Sequence, residues 1–346
     1  MLRKLVVCIK CTGRRRAYWL PLLTWSVLML VTVSWLGQLA GRALLPPPPP
    51  DQNLQHFRRS RDLKHYLDRI DILIEPSTGV NDLPVLVLVS SAPSHVEQRQ
   101  AIRNTWGKHL PTYFVLGLAG QQLDETLADN YVEAKQHSDL IVFDMPDHYQ
   151  NLTLKTMLML HWTLERCPHA ERVFKTDDDV LVNPWTLKTV LKENPNAKML
   201  GYRIEESKLH RDEYSKWFVP RWLCAEGRVP QYLSGTGYIL RGEDIEDILT
   251  AAKRIPLINL EDVYLTYLVS KSSLNLELVH DKRLSPFRPW LPFECAYWNL
   301  ASMHSFKPSE IVHTWAKIER KEKDYKEDRD VCKFYRYYFD SDIFLY

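Results

Sequence analysis

The sequence Val173-Phe174-Lys175-Thr176-Asp177-Asp178-Asp179-Val180-Leu181-Val182 places three adjacent carboxylates between two apolar runs. Both runs are typical of strands, so the acids fall at the end of one strand. Neighbouring like charges raise each other's pKa unless a cation lies beside them. A Mg²⁺ or Mn²⁺ ion that binds these acids together with a diphosphate would remove that cost. The stretch therefore indicates either a metal-diphosphate site or an acidic surface turn.

A metal phosphatase of the Asp-x-Asp type is a third interpretation of the same acids. Its signature requires an uninterrupted apolar strand before the first Asp, and Thr or Val two residues after the second acid. Here Lys175-Thr176 precede the acids and Leu181 occupies the later position. The phosphatase interpretation is therefore disfavoured.

The bulk composition is that of an ordinary globular protein with nearly balanced charge. The chain has 346 residues, enough for one large domain or two small ones. Its 45 Lys and Arg residues face 43 Asp and Glu residues. Because a protein built mainly to bind nucleic acid usually carries a clear basic excess, we expect no nucleic-acid partner.

The N-terminal segment has the pattern of a membrane anchor. Residues 17–41 carry no charged side chain, and at about 1.5 Å per residue they span a hydrocarbon core of roughly 30 Å. Basic residues without an acid precede the segment, which predicts a cytoplasmic tail over residues 1–16 and a translocated remainder. A cleaved signal peptide is the alternative, with Ala40-Gly41-Arg42-Ala43 as a weak cleavage site.

A stem and one large domain follow the predicted anchor. Pro46 to Pro50 is a run of five prolines, which favours an extended, semi-rigid spacer. The polar stretch after it contains a possible short helix through Leu63 and Ile70. We therefore predict a stem over residues 42–82 and a lumenal domain over residues 83–346.

The lumenal domain alternates between strand and helix patterns. Apolar runs predict strands at Leu83–Val89, Tyr113–Leu118 and Leu140–Phe143, and Leu154–Leu164 has the pattern of an amphipathic helix. The acid-tipped strand that starts at Val173 comes next. This alternation predicts an α/β domain with a mainly parallel sheet and with ligands at the carboxyl ends of its strands.

Three further groups of residues each allow a functional and a structural interpretation. Arg99 and Arg103 lie one helical turn apart, where they could clamp a phosphate or lie on a solvated face. Gly235 and Gly237 indicate a tight turn, either for close approach to a ligand or as a plain turn. The pair Glu261-Asp262 is a candidate general base or a pair of acids at a helix N-terminus.

Glycosylation and disulfide patterns fit a lumenal domain. Asn151-Leu152-Thr153 is a glycosylation sequon, which predicts a surface position for Asn151. Four cysteines would be lumenal and suggest two bridges with three possible pairings; they are Cys167, Cys224, Cys295 and Cys332.

Six blocks of the sequence, taken in order, resemble the beta-1,3-glycosyltransferases of family 31, and within it the beta-1,3-galactosyltransferases. Each block is weak alone, but six blocks in this order are specific. They extend over most of the predicted domain, from about Leu83 to Trp315. The blocks are Glu97–Gly107 (R-x-x-I-R-x-T-W-G in the family), Asn151–Thr156 (N-L-T-L-K-T), Phe174–Val180 (K-T-D-[DS]-D), Ser234–Tyr238, Glu261–Tyr264 and His304–Trp315 (H-x-x-x-P-x-E-x-x-x-x-W).

The resemblance implies a GT-A fold, that is, a Rossmann-like mixed sheet flanked by helices. It implies an inverting transfer from a UDP-sugar donor to a glycan acceptor in beta-1,3 linkage, with Mn²⁺ as cofactor. Galactose is the favoured sugar, and N-acetylglucosamine and N-acetylgalactosamine remain alternatives. It also implies a single-pass type II protein of the Golgi membrane. A non-catalytic Golgi binding or chaperone protein is a further alternative, although the intact acids argue against it.

The resemblance also implies roles for individual residues. Asp179 and His304 would bind the metal, although a lone His is more often structural. Asp262 would be the catalytic base, with Glu261 beside it. The substrate-binding residues would be Arg99, Arg103, Trp106, Lys155, Lys175, Asp177, Asp178, Gly235 and Gly237, of which Arg99 and Arg103 would contact the uridine diphosphate.

The chemistry of an inverting transfer agrees with one metal-bound acid cluster and one separate acid. A single carboxylate takes the proton from the acceptor hydroxyl, while a metal stabilises the charge on the leaving diphosphate.

The sequence departs from the family pattern E-D-V-Y-x-G-x-C after Tyr264, because Thr266 replaces the Gly and Leu268 the Cys. Leu233 also stands where relatives often carry Cys. A replacement bridge between Cys224 and Cys332 is one conjecture.

Overall fold

The computed structural model describes residues 24–37, 59–76, 84–119, 123–213, 215–289, 292–326 and 332. The chain divides into two compact units, Met1–Gln52 and Asn53–Tyr346. In the first unit, residues 24–37 form helix α1. Within the described ranges, no helix is both long and apolar enough to cross a membrane. The remainder of the predicted anchor and the cytoplasmic tail lie outside the described residues, so both stay predictions.

The second unit is built on an eight-stranded sheet with a smaller three-stranded sheet beside it. The large sheet has the order β1-β4-β3-β2-β5-β8-β7-β9, and the small sheet has the order β10-β11-β6. The strands are β1 Ile72–Ile74, β2 Leu86–Ser90, β3 Thr112–Leu118, β4 Leu140–Pro146, β5 Arg172–Asp177, β6 Leu181–Val182, β7 Met199–Lys208, β8 Arg228–Arg241, β9 Leu278–His280, β10 Leu284–Ser285 and β11 Ser302–Met303.

Helices connect these strands and cover the sheet. They are α2 Lys64–Leu67, α3 Val96–Asn104, α4 Leu123–His137, α5 Leu152–Arg166, α6 Pro184–Glu193, α7 Ile245–Ala252, α8 Glu294–Asn299 and α9 Pro308–Lys326. A π-helix runs from Val263 to Ser273. Short 3₁₀ turns occur at Trp106–His109, Tyr149–Asn151 and Gly242–Asp244.

The first half of the sheet confirms the predicted alternation of strands and helices. Strands β2, β3, β4 and β5 run parallel. Their spatial order 4-3-2-5 reverses direction between β2 and β5, where Ser90 lies opposite Asp177. Such a reversal opens a crevice at the carboxyl ends of the two strands. The other half is largely antiparallel, because β8 pairs with both β5 and β7 in that sense, and the sheet as a whole is mixed.

Helix α5 is buried on nearly every face, whereas its sequence predicted an amphipathic helix. Leu154, Met157, Leu158 and Trp162 are all buried, and the helix contacts strands β2 and β3 as well as helices α2 and α7. A helix that is covered on all sides needs no polar stripe. Buried polar residues of α5 are hydrogen-bonded, either within the helix, as when Thr163 Oγ1 donates to the carbonyl of Met159, or to distant backbone, as when Thr153 Oγ1 donates to the carbonyl of Ile258.

The folded domain begins earlier than the predicted boundary at residue 83. Strand β1 pairs antiparallel with β4 and places Ile72 opposite Phe143. Leu63 is fully buried, and the Leu257 amide donates to the carbonyl of Arg61 over 2.8 Å. The described part of the predicted stem therefore belongs to the domain, since β1 covers the edge of β4 that would otherwise expose unpaired amides.

One disulfide joins Cys295 of α8 to Cys332. Cys167 and Cys224 are free thiols. The conjectured Cys224–Cys332 bridge is therefore wrong, and the described residues contain one bridge rather than two. The bond ties the chain that follows α9 back onto α8.

We expect Cys332→Ser to destabilise the domain by about 3–4 kcal/mol, because the disulfide closes a long loop in the unfolded chain. The measurement is urea unfolding monitored by Trp fluorescence. Cys224→Ser is the matched control, since it removes a thiol that forms no bridge. Equal unfolding midpoints for the two variants would contradict the assignment of the bridge.

Candidate active site

A cleft of about 370 Å³ brings together several of the residues singled out in the sequence. Asp177 ends strand β5, Gly235 lies in β8, and Glu261 and Asp262 precede the π-helix. His304, which directly follows β11, lines the same cleft. Residues far apart in sequence therefore meet at the carboxyl end of β5.

The three adjacent aspartates have different partners, which explains how they coexist. Asp177 Oδ1 accepts a hydrogen bond from Lys175 Nζ over 2.8 Å. Asp178 is buried, and its Oδ2 accepts from Ser91 Oγ over 2.7 Å and lies 2.8 Å from His95 Nδ1. Asp178 thereby links the acidic turn to the loop after β2, because both of its partners lie there.

Asp179 pairs with His304, with 3.1 Å between Oδ2 and Nε2. The small sheet creates this contact, since β11 pairs antiparallel with β6 and places Met303 opposite Leu181. The Phe306 amide donates to the Asp179 carbonyl over 2.9 Å and fixes the segment. Burial lowers the pKa of His304, but the hydrogen bond and charge of Asp179 outweigh it and raise the pKa above its usual value.

The donor set of Asp179 and His304 fits a divalent ion that takes further ligands from a bound molecule. One carboxylate oxygen and one imidazole nitrogen converge, and both side chains keep partial exposure. Across the described ranges, no group of three or more His, Cys, Asp or Glu side chains could hold a metal. Two protein ligands leave most coordination positions open, as is usual for ions that bind nucleotide phosphates.

Lys175 is a buried cation between the two acidic groups. Its Nζ donates to Asp177 Oδ1 over 2.8 Å and to the Gly235 carbonyl over 2.7 Å, and it lies 3.6 Å from Glu261 Oε2. Burial by itself lowers the pKa of Lys175, but the charges of Asp177 and Glu261 outweigh it and raise the pKa. The ammonium group therefore stays charged and holds β5, β8 and the acid pair together.

Glu261 is buried and accepts a hydrogen bond from Tyr238 Oη. Burial raises the pKa of Glu261 to about 7, while the charge of Lys175 opposes the shift and that of Asp262 adds to it. Glu261 is thus a buried carboxyl group that is more easily protonated than an exposed glutamate, in contact with both Lys175 and Tyr238.

Asp262 lies at a helix N-terminus and also lines the cleft, so both positions that the sequence suggested for it apply. It caps the π-helix, since its Oδ1 accepts from the Val263 amide over 2.9 Å. Its Oδ2 accepts from the Gly235 amide over 3.2 Å, and the residue lines the cleft with partial exposure. Burial raises the pKa of Asp262, although the two amides lower it. A fixed carboxylate with a raised pKa is suited to general base catalysis.

Gly235 and Gly237 lie within strand β8, not in the tight turn that the sequence predicted. Two steps along β7, from Gly201 to Arg203, correspond to five steps along β8, from Tyr238 back to Leu233. This irregular bulge frees the Gly235 amide from pairing with β7, and the amide donates to Asp262 instead.

The glycines allow close packing of the chain on itself. A Cβ atom at Gly235 would lie 3.2 Å from Asp262 Oδ2, and one at Gly237 would lie 3.0 Å from the ring of Phe174. The sequence allowed either close approach of the backbone to a ligand or a plain turn. The backbone at these glycines does make a close approach, but to the side chains of Asp262 and Phe174.

Arg99 and Arg103 do not line the cleft, in contrast to the predicted contacts with uridine diphosphate. Arg99 is fully buried and binds both carboxylate oxygens of Glu133, at 2.7 and 2.6 Å. Arg103 binds Asp139 and Glu133, each at 2.7 Å. Both guanidinium groups tie α3 to α4 through Glu133, and Arg103 also ties α3 to Asp139, the residue just before β4. The sequence could not show this, because the acidic partners lie more than thirty residues away.

Trp106 and Lys155 lie outside the cleft lining and act on the loops around it. Trp106 is fully buried, and its Nε1 donates to the Val180 carbonyl over 3.2 Å. Lys155 Nζ donates to the Ser91 carbonyl over 2.8 Å and to Asp147 Oδ1 over 2.7 Å. These bonds hold the loops that follow β2, β4 and β5.

The surface position predicted for Asn151 is wrong. Asn151 is buried, its Nδ2 donates to the Pro146 carbonyl over 2.7 Å, and its Oδ1 accepts from Arg59. The carboxamide that a glycan would occupy is therefore engaged inside the folded domain.

Several cleft residues carried no sequence signal that separated them from the core. Tyr149, Lys216 and Trp217 line the cleft, and Lys216 Nζ lies 5.4 Å from the ring of Tyr149 and 4.7 Å from that of Trp217. Aromatic residues also build cores, so the high Trp and Tyr content did not identify them. Tyr238 was missed as well, although it ends the block that contains the two glycines.

Comparisons with known proteins identify the family. The protein-family model described as Galactosyltransferase matches residues 97–280, more than half of the 346 residues. Beta-1,3-galactosyltransferase 5 of Homo sapiens is 32% identical over 257 residues, which cover 70% of this chain and 82% of the relative. Acetylgalactosaminyl-O-glycosyl-glycoprotein beta-1,3-N-acetylglucosaminyltransferase of Homo sapiens is 32% identical over 283 residues, with 76% and 73% coverage.

Similarity to solved structures is distant. A glycosyltransferase involved in the glycosylation of the major capsid of PBCV-1 aligns with a TM-score of 0.38 and 11% identity, over 67% of this chain and 98% of that chain. The sequence matches are the stronger finding, and they show that this chain belongs to the Galactosyltransferase family.

Proposed function

We propose that this protein is an inverting glycosyltransferase of the GT-A type that moves a sugar from a UDP-sugar donor to a glycan acceptor in beta-1,3 linkage. Galactose is the sugar we favour. The observation that carries the proposal is the single cleft shared by Asp262, Asp177 and His304. The fixed carboxylate of Asp262 shares this lining with Asp177 and with His304, and His304 contacts Asp179.

Asp262 acts as the general base. Its carboxylate takes the proton from the acceptor hydroxyl while that oxygen forms a bond to the anomeric carbon. The bond between the anomeric carbon and the uridine diphosphate breaks at the same time, so the configuration inverts. The Gly235 amide on Oδ2 and the Val263 amide on Oδ1 fix the carboxylate, and its raised pKa makes it a better proton acceptor.

Asp179 and His304 are the residues that would hold Mn²⁺, and a bound Mn²⁺ would stabilise negative charge on the leaving diphosphate. Asp177 and Asp178 would bind the ribose and the water shell of the ion, as the family resemblance implies. Asp178 is held in place for this by Ser91 and His95. Arg99 and Arg103 pair with Glu133 of α4 outside the cleft lining, and we assign them no contact with the donor.

The protein acts in the Golgi lumen, attached to the Golgi membrane as a single-pass type II protein. The uncharged segment over residues 17–41 and the basic residues before it support this topology. The disulfide between Cys295 and Cys332 supports an oxidising compartment for the domain.

Transfer of N-acetylglucosamine is the second candidate, because a human beta-1,3-N-acetylglucosaminyltransferase is as similar to this chain as the galactosyltransferase is. The two candidate functions use the same base and the same metal residues, and they differ only in the sugar that is transferred from the donor.

A panel of UDP-sugars and glycan acceptors tests the proposed activity on the full-length protein. We expect transfer from UDP-galactose, and a fall in kcat of roughly a hundred- to ten-thousand-fold in Asp262→Asn, since the amide cannot accept the proton. Asp144→Asn changes an exposed acid outside the cleft lining and serves as the control. Equal activity of Asp262→Asn and wild type would refute the role of the base. Absence of transfer with every donor would favour a non-catalytic protein.

Titration with Mn²⁺ after treatment with a chelator tests the metal residues. We expect chelation to abolish transfer and Mn²⁺ to restore it. Asp179→Ala should need a higher Mn²⁺ concentration for half-maximal rate, because it removes one of two protein ligands. An unchanged Mn²⁺ requirement in this variant, or full activity in the chelator, would rule out the assignment.

The pH profile of kcat/KM tests the environment of Asp262. Because burial raises the pKa of Asp262 above 3.8, activity should fall with decreasing pH at a point above that value, as the base becomes protonated. The charge of Lys175 opposes this shift, so Lys175→Met should move the acidic limb to higher pH. Lys198→Met, which removes a cation paired with Asp244, should leave the limb in place. If the acidic limb of the kcat/KM profile of Lys175→Met lies at the wild-type pH or at a lower pH, the proposed effect of the Lys175 charge on Asp262 is wrong.

A further inference from the structure

Thr266 lies in the first turns of the π-helix and is fully buried. Its Oγ1 donates to the Asp262 carbonyl over 2.7 Å. The same oxygen accepts from the Leu233 amide over 2.9 Å. The hydroxyl group therefore donates one hydrogen bond and accepts another. Together the two bonds join the helix that Asp262 caps to strand β8.

Of the two hydrogen bonds of the Thr266 hydroxyl, only the one to the Asp262 carbonyl is usual for a Thr in a helix. A bond back to the carbonyl four residues earlier is a common local contact of Ser and Thr. The bond from Leu233 is different, because it joins residues 33 positions apart. Without Thr266 Oγ1, the buried Leu233 amide would lose this acceptor.

The bond from Leu233 lies at the start of the β8 bulge. Leu233 is the last residue paired with β7, opposite Arg203, before the register shifts. Two residues further along, the Gly235 amide donates to Asp262 Oδ2. The backbone of β8 is thus linked to Asp262 at two points, through the side chain of Asp262 and through Thr266.

We propose that Thr266 is a positioning residue that holds Asp262 against the β8 bulge and keeps the Gly235 amide on its carboxylate. This inference rests on the proposed role of Asp262 as the base. The family pattern has Gly at this position, and a glycine has no hydroxyl group, so the link is built by a residue at which this chain departs from that pattern. Leu233 and Leu268 stand where the pattern has cysteines, and the Thr266 hydroxyl connects the two elements that carry them.

Kinetics of Thr266 variants of the full-length protein test the inference. Thr266→Val keeps the shape and removes the hydroxyl, so we expect kcat to fall about tenfold, with KM for the UDP-sugar unchanged. Thr266→Ser keeps the hydroxyl and should retain most of the wild-type kcat. If Thr266→Val does not fold, Thr266→Ala replaces it in the same assay.

Ser270→Ala is the matched control, because Ser270 is a buried residue of the same π-helix whose hydroxyl has no hydrogen-bond partner in the structure described. We expect its kcat to match wild type. Ser270→Ala removes a buried hydroxyl group from the same helix without breaking a hydrogen bond, so a loss of kcat confined to Thr266→Val is due to the two bonds that the Thr266 hydroxyl makes.

Hydrogen exchange provides a readout that does not depend on turnover. The amides of Leu233 and Gly235 should exchange faster in Thr266→Val than in wild type, and at the wild-type rate in Thr266→Ser. Unchanged exchange, or a kcat in Thr266→Val equal to that of wild type, would overturn the inference. Absence of transfer by the wild type would instead contradict the proposed function, and the exchange data would still decide whether Thr266 holds the bulge.

Discussion

The site depends on one buried cation, Lys175, shared between two acidic groups. Its ammonium group contacts Asp177 on β5, the Gly235 carbonyl on β8 and Glu261 beside Asp262. Without that charge, several carboxylates would lie close together in a poorly solvated cleft and repel one another. The ammonium group of Lys175 therefore allows Asp177 and the acid pair before the π-helix to lie in one cleft.

The fold brings these groups to the cation by two irregularities in an otherwise regular sheet. The reversal of strand order between β2 and β5 opens the crevice in which Asp177 lies. The bulge in β8 then turns the backbone at Gly235 toward Asp262 and Lys175. Strands β2 and β5 stay paired along their length at the reversal, whereas the bulge interrupts the pairing of β8 with β7 and leaves the amide and carbonyl of Gly235 to bind Asp262 and Lys175.

The sequence predicted the parts of this structure that depend on local pattern. The strand and helix alternation is visible in the apolar runs, and the order of the blocks was enough to propose that Asp262 and His304 share a site with the acids after β5. It could not show the partners of Arg99 and Arg103, because those depend on tertiary contacts with Glu133 and Asp139. The sequon gave no sign that Asn151 is buried, and the polar character of the stem gave no sign that its described residues 59–76 belong to the domain.

The central claim is that the acids after β5 bind a metal and a diphosphate while Asp262, in the same cleft, removes the acceptor proton. Crystals of the protein grown with uridine diphosphate and Mn²⁺, measured by anomalous scattering at the manganese edge, test it most directly. Our account predicts one manganese peak beside Asp179 and His304, in contact with the diphosphate, with the Asp262 carboxylate open to the same cleft. Diphosphate bound without manganese at Asp179, or manganese bound away from the cleft that contains Asp262, would contradict it.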